Sequence, residues 1–119
     1  MDGCPISFET QIPLQLNPEF DSGVWENQAG ATNVTLMFDA TMDTTVLPSP
    51  GSFELELDGV IRAIDSFAWS ASNVLVVTSV VGIPAVDPVK ITLLAEDDNL
   101  HALSGRNVLP FGPVAIPEV

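Results

Sequence analysis

The sequence predicts an all-β protein, a single antiparallel sandwich of about seven strands. Apolar and polar residues alternate over short runs such as "FELEL". These runs recur about every ten residues, with Gly, Pro, Asn or Asp between them, which is typical of a sandwich. Ten prolines and eight glycines disfavour long helices, because Pro breaks a helix and Gly weakens it. A chain of 119 residues fits one domain with its own core.

The first thirty residues read differently from the rest. We predict that residues 1–30 form an N-terminal arm or edge segment and that residues 31–119 form the sandwich. Prolines interrupt this segment, so an edge strand near Ile12–Leu16 is the only strand we expect in it. Aromatic anchors are enriched at protein interfaces. We therefore favour contacts to a neighbouring subunit, with packing on the same domain as the alternative, for three aromatic residues of the arm: Phe8, Phe20 and Trp25.

The first strands of the sandwich show clear alternation. In "NVTLMFD" every second residue is apolar, and "FELEL" alternates Phe or Leu with Glu, as in a half-buried strand. Asp58-Gly59 then predicts a two-residue hairpin, because a type I′ turn needs positive φ at both central residues. The alternation of the return strand slips at residues 63–65, where we predict a bulge.

The later strands complete the sandwich. "VLVVTSVV" is rich in β-branched residues and apolar on both parities, which predicts a central strand. "VKITLLA" alternates again, and "VLPFGPVAIPEV" predicts a last strand interrupted by prolines. Two long polar connections, "ATMDTTVLPSPG" and "EDDNLHALSGRN", separate these strands from their neighbours.

The charge balance restricts the partners. The chain has sixteen acidic residues and only three basic ones, Arg62, Lys90 and Arg106, for a net charge of −13. Nucleic-acid binding begins with cations on phosphates, and three scattered cations make no basic stripe. Anionic membrane surfaces are disfavoured for the same reason. We therefore expect other protein subunits as partners, homo-oligomers included, and expect no nucleic acid and no membrane.

The sequence offers no pattern for catalysis. His101 is the only histidine and Cys4 the only cysteine, so neither an intrachain disulfide nor a zinc site can be built from them. No "GxSxG" or phosphate-binding glycine motif is present. We interpret His101 as a surface-loop residue and predict a protein that is not an enzyme and carries no cofactor.

Calcium is the one metal that the sequence keeps open. Asp39 and Asp43 lie in "FDATMD", and Asp97 and Asp98 lie in "AEDDNL". Calcium takes several converging oxygen ligands, and in a sandwich these two loops can meet at one end. The sequence thus yields two hypotheses for these carboxylates, a calcium site or simply solvated loops.

Several of these runs occur in the order of a known family. "ATNVTLMFDATMD" has the form "LxFxxxMD", and "FELELDG", "IDSFAWSASNVLVVTSV" and "VKITLLAEDDNLHALSGRNVLPF" follow. Residues 31–116 thereby resemble the bacterial immunoglobulin-like repeats of surface and adhesion proteins, including the swimming-protein type. The family's "Asp-x-x-Gly-Asn" departs here, because Arg106 stands between Gly105 and Asn107. The resemblance implies an Ig-like scaffold or adhesion module rather than an enzyme.

The function we expect is structural. The chain begins with Met1 and shows no apolar leader, and immunoglobulin-like domains also occur in phage capsids and tails. By this analogy of fold we expect a virion protein that decorates or cements a capsid, or forms part of a tail or fibre. The alternative is a secreted bacterial adhesion module, extracellular or on the cell surface, stabilised by calcium.

Overall fold

The protein is an all-β sandwich, as the sequence predicts. The computed structural model describes residues 17–28, 30–80 and 88–119. These residues form two antiparallel sheets of four strands each, one strand more than expected. The described residues contain no helix that is long and apolar enough to span a membrane. The strands are β1 (Phe20–Gln28), β2 (Ala31–Phe38), β3 (Phe53–Leu57), β4 (Val60–Arg62), β5 (Ile64–Ala71), β6 (Val74–Ser79), β7 (Val89–Leu93) and β8 (Phe111–Ile116).

The two sheets enclose one apolar core. Sheet 1 has the order β1-β2-β6-β5, and sheet 2 has the order β4-β3-β7-β8. Their inner faces meet through alternate residues of the central strands. Burial of one large apolar side chain stabilises the folded state by about 1.5–3 kcal/mol. Residues of this core that are at most 3% exposed include Val34, Leu36, Leu75 and Val77 from sheet 1 and Leu55, Leu57, Val89, Ile91 and Leu93 from sheet 2.

The hairpin predicted at Asp58-Gly59 is confirmed. Asp58 has φ 52° and Gly59 has φ 79°, the positive values at both central positions that a type I′ turn requires. The turn joins β3 to β4, with Leu57 paired to Val60. The residue types of the turn therefore determine its backbone.

The chain changes sheets directly after this hairpin. β4 pairs with β3 in sheet 2, whereas β5 pairs with β6 in sheet 1. Only Ala63 separates the two strands, and its carbonyl accepts the Val80 N–H at 3.2 Å. The bulge predicted for this region is present between Ile64 and Ser66. The crossing itself was not predicted, because alternation does not distinguish one sheet from another.

Strand β1 lies inside the segment predicted as an arm or edge. It is an edge strand of sheet 1, paired with β2 along its length. A bulge between Phe20 and Ser22 shifts its parity, and Gly23 takes an inward position. A Cβ on Gly23 would lie 3.0 Å from the Thr35 carbonyl and 3.1 Å from the Ile116 side chain. These two features hide the alternation of β1 in the sequence. The first strand of the sandwich begins at Phe20, within the segment predicted as an arm or edge.

Backbone hydrogen bonds of the C-terminal residues also join the two sheets. The Trp25 N–H donates to the Pro117 carbonyl at 2.9 Å, and the Val119 N–H donates to the Trp25 carbonyl at 2.9 Å. Edge strand β1 of sheet 1 is thereby tied to the residues that follow β8 of sheet 2. The strand predicted near Ile12–Leu16 lies outside the described residues.

Candidate functional site

Two long loops meet at one end of the sandwich, which we call the loop pole. It comprises residues 39–52 and 94–110. Met42 is 2% exposed and extends the core into the first loop, where it forms an isolated antiparallel bridge with Ala102. The Asp43 N–H donates to the His101 carbonyl at 3.0 Å. The loops therefore meet as the sequence analysis expected, and they are held by backbone pairing as well as by side chains.

His101 and Asp43 form the one ion pair between side chains of the described residues. Nε2 of His101 lies 3.1 Å from Oδ2 of Asp43, and Nδ1 lies 2.7 Å from the Asp98 carbonyl. Both partners are acceptors, so the ring donates both bonds only in its doubly protonated form. Thr45 donates to Asp43 from its N–H and its hydroxyl. Both ring nitrogens are thus directed at acceptors within the loop pole.

Hydrogen bonds hold the pKa of the Asp43 carboxyl below its ordinary value. The largest contribution is the Thr45 hydroxyl, followed by the Thr45 N–H, with His101 adding a smaller part against a modest opposing effect of burial. The group is a local brace for the turn that follows it, because two of its donors lie only two residues away.

Asp97 joins the two loops of the pole. Its Oδ2 accepts the Ser49 N–H and the Ser52 hydroxyl, each at 2.7 Å, and its Oδ1 accepts the Asn99 N–H at 2.9 Å. Burial acts to raise the pKa of Asp97, but these donors outweigh it and the net shift is downward. The carboxylate therefore fastens residues about 45 positions apart in the chain.

The structure does not gather the four carboxylates predicted for calcium into one group. Asp39 accepts the Glu19 N–H at 2.8 Å, and Asp98 accepts from the Asn107 amide at 3.1 Å. Asp43 and Asp97 brace loops, as described above. Among the described residues no group of three or more His, Cys, Asp or Glu side chains is placed to hold a metal ion. Calcium binding at the loop pole stays a prediction.

The three aromatic residues predicted for an interface differ in where they lie. Trp25 is only 3% exposed and lies in the core, so its side chain packs on its own domain, which is the alternative given above. Its Nε1–H is buried with no hydrogen-bond partner among the described residues. Phe20 is half-buried and stacks on Phe111 with ring centroids 5.1 Å apart. Phe8 lies outside the described residues.

The second tryptophan fastens a loop. Trp69 lies on β5, and its Nε1–H donates to the Val46 carbonyl at 2.8 Å. Its ring packs at a tilt on Phe38, with centroids 6.4 Å apart. Trp69 therefore packs against the core and anchors the first loop of the pole.

The outer face of sheet 1 is uncharged at its two central strands, and its acidic residues lie on the edge strands, at Asp21 and Glu26 on β1 and Asp65 on β5. Its central strands β2 and β6, "ATNVTLMF" and "VLVVTS", contain no charged residue on either side. The outward residues pair across the strands in register. Antiparallel sheets that face water usually carry polar outward residues. We call this surface the neutral face, defined by Val24, Thr35, Met37, Ala68, Val74 and Val76.

The rim of the neutral face is polar but internally satisfied. The Thr78 hydroxyl donates to the Asn33 side chain at 2.8 Å, and the Asn33 amide donates to Gln28 at 3.1 Å. Glu26 is one of the acidic residues at this rim and stands opposite Asn33. The apolar middle of the face therefore lies open while its polar border is hydrogen-bonded within the sheet.

The outer face of sheet 2 has the opposite character. Its central strands read "FELEL" and "VKITL", with charged residues at outward positions. Glu56 stands opposite Lys90 on one side and Ile61 on the other. We call this surface the charged face, defined by Glu54, Glu56, Ile61, Lys90, Thr92 and Ala115.

The sequence indicated one strand of the neutral face, β6, but it did not show that one apolar side of this strand is left partly exposed. The run "VLVVTSVV" is apolar on both parities, and it does form a central strand, since β6 lies between β2 and β5. Its second apolar side, Val74 and Val76, remains partly exposed. The absence of charge in β2 and β6 together is the signal that points to the face.

No protein-family model matches the chain, and no curated protein matches it.

Proposed function

We propose that the protein is a non-enzymatic structural component of a phage virion that acts by protein–protein contact. In this role it decorates or cements a capsid, or forms part of a tail or fibre. The observation that carries the proposal is the neutral face. A surface of this kind on a chain of net charge −13 favours a protein partner, because exposed apolar patches mark interaction sites.

The loop pole supports the same proposal. Its carboxylates and its histidine bind loop N–H, hydroxyl and carbonyl groups, so their polar capacity is used within the fold. The apolar outer positions of sheet 1 have no such partners in the described sheet. The neutral face is a flat sheet surface, and that shape suits assembly more than the binding of a small molecule.

The virion assignment rests on the analogy of fold and is tested by location. Particles from a culture that makes the protein are purified on a density gradient, and their proteins are digested and identified by mass spectrometry. We expect peptides of this chain in the particle band, in a fixed ratio to the major shell protein. Recovery only from the cell surface or the culture medium would contradict the proposal and favour the secreted adhesion module.

A binding experiment then tests the surface. Purified protein is mixed with particles that lack it, and the mixture is sedimented. Thr35→Glu places a charge on the neutral face, and Thr92→Glu places the same charge on the charged face. We expect Thr35→Glu to reduce sedimentation with the particles at least tenfold, and Thr92→Glu to leave it unchanged. Equal binding of both variants would show that the neutral face is not the contact.

A further inference from the structure

A small apolar groove lies at the loop pole, where β1 and β8 begin. We call it the pole groove, and its described lining consists of Pro18, Glu19, Phe20, Leu109, Pro110 and Phe111. The Phe20 and Phe111 rings stack with an angle of 13° between their planes, and Leu109 is 49% exposed. The volume of the groove is about 310 Å³, at the lower end of the range for ligand pockets. It therefore suits one or two apolar side chains more than a whole ligand.

The chain reaches this groove from its N-terminal side. Two side-chain hydrogen bonds fasten Asn17 to the loop pole. Its Nδ2–H donates to the Asn107 carbonyl at 2.9 Å, and its Oδ1 accepts from Nη2 of Arg106 at 3.2 Å. The next residue, Pro18, is buried and lines the groove. Residues 1–16, which lie outside the described residues, are thus joined directly to the lining of the pole groove.

The longer internal gap in the described chain begins and ends elsewhere. Residues 81–87 follow β6, which starts opposite Met37 near the loop pole and runs past Asn33, away from it. They precede Pro88, whose carbonyl accepts the Asp58 N–H at 2.9 Å in the β3–β4 hairpin. Both attachment points lie at the opposite end of the sandwich. Residues 1–16 are therefore the segment outside the structure that starts beside the groove.

The composition of residues 1–16 matches the groove. They carry only two charged residues, Asp2 and Glu9, and one aromatic residue, Phe8. A third ring can pack on the stacked pair of the groove. Phe8 stands ten positions before Pro18, and a loop of about ten residues closes at a small entropic cost. The short tether gives the segment an effective concentration of about 1 mM at the groove, which a separate partner in dilute solution does not reach.

We propose that the pole groove binds the N-terminal segment of the same chain, with the Phe8 ring against Phe20 and Phe111. The inference goes beyond the proposed function, since it assigns an intramolecular contact at the loop pole, away from the neutral face. The contact fastens the N-terminus without a partner. An assembly that uses this segment as an arm must first displace it from the groove.

Proteolysis of the full chain tests this proposal. Chymotrypsin cleaves after Phe8 when the ring is outside the groove, and a synthetic peptide of residues 1–16 gives the rate for an unbound segment. We expect cleavage after Phe8 to be about tenfold slower in the full chain, the factor for a groove that is filled in about nine molecules of ten. Mass spectrometry of the released residues 1–8 measures the rate. Equal rates in the chain and the peptide overturn the proposal.

Matched variants locate the contact. Leu109→Glu places a charge in the groove, and Leu103→Glu places the same charge on the loop pole outside its described lining, at a residue that is 68% exposed. Leu109→Glu should raise cleavage after Phe8 to the rate of the peptide, and Leu103→Glu should leave it unchanged. If Leu109→Glu fails to fold, Pro110→Glu tests the same groove from another exposed residue. Protection of Phe8 that survives a charge in the groove overturns the proposal.

Dilution distinguishes the chain's own segment from that of another copy. The cleavage rate should be the same at about 1 μM and about 100 μM protein, because the tether alone sets the local concentration. Protection that is lost on dilution would place the segment on a neighbouring copy and overturn the proposal. These measurements use the purified protein without particles, so their outcome is separate from that of the virion role.

Discussion

The two sheets of this protein are alike inside and different outside. On their inner faces β2, β3, β6 and β7 alternate buried residues in the same way. On their outer faces sheet 2 carries Glu54, Glu56 and Lys90, whereas the central strands of sheet 1 carry no charge. The fold requires only the inner pattern, because burial against the opposite sheet is what stabilises each strand. The outer pattern instead reflects what each face meets, which is water for sheet 2 and, in our proposal, protein for sheet 1.

The largest effect on stability should come from substitutions of Trp25, because they test whether this side chain lies in the core or at an interface. Trp25→Ala should lower the free energy of unfolding by about 3–5 kcal/mol, as large-to-small substitutions in cores do. Trp25→Phe should cost far less, because the buried Nε1–H forms no bond that Phe would lose. Urea unfolding of both variants measures this difference. A stable Trp25→Ala protein would place the side chain at a surface and contradict the described core.

Matched leucines test whether the two inner faces are equivalent. Leu36 on β2 and Leu55 on β3 are both 0% exposed. Leu36→Ala and Leu55→Ala should each lower the free energy of unfolding by about 2–5 kcal/mol. Denaturant midpoints and slopes of the two variants, measured together, give the comparison. A loss below about 1 kcal/mol at either position would show that the corresponding sheet does not pack as described.

Acid should loosen the loop pole more than either sheet. The pKa of Asp97 in the folded protein lies below its ordinary value of 3.8, so its contribution is present above about pH 4 and is lost as the pH falls through the folded value. Asp97→Asn should cost about 1 kcal/mol at pH 7, because a neutral amide is a weaker acceptor for the Ser49 and Ser52 donors. The variant should also lose less stability than the natural chain between pH 6 and pH 3. Unfolding midpoints across this range measure both effects, and parallel acid curves would contradict the role of Asp97.

The smallest effect should come from calcium. The carboxylates of the loop pole already accept hydrogen bonds and are not grouped as a metal site in the described residues. The melting temperature should therefore stay the same in 5 mM calcium and in 5 mM EDTA. A ligand that binds only the folded state raises the melting temperature. A rise with calcium that Asp97→Asn removes would support the calcium hypothesis.

Local features of the fold could be predicted and non-local ones could not. The alternation of β3 and the residues Asp58-Gly59 act on their own backbone, so the hairpin was predictable with its turn type. Strand β1 was hidden because an inward Gly23 fits against Ile116, which lies almost a hundred residues later. The crossing at Ala63 depends on which strands flank it in space, and alternation carries no such information.

The candidate site was predictable to a similar extent. That the two acidic loops can meet at one pole was open from the sequence, because loops of a sandwich lie at its two ends. The donors of Asp97 did not, since Ser49 and Ser52 lie 48 and 45 residues away in the chain. The neutral face was present in the sequence as two uncharged strands, but its recognition required the knowledge that β2 and β6 are neighbours.

Methionine methyl signals offer the most direct test of the neutral face. The chain contains three methionines, of which Met37 lies on the neutral face and Met42 is 2% exposed in the core. In a methyl-labelled sample studied by nuclear magnetic resonance, we predict that the Met37 signal moves as purified shell protein of the particle is added, while Met42 stays fixed. The movement should be absent in Thr35→Glu. A Met37 signal that remains fixed throughout this titration would contradict the account.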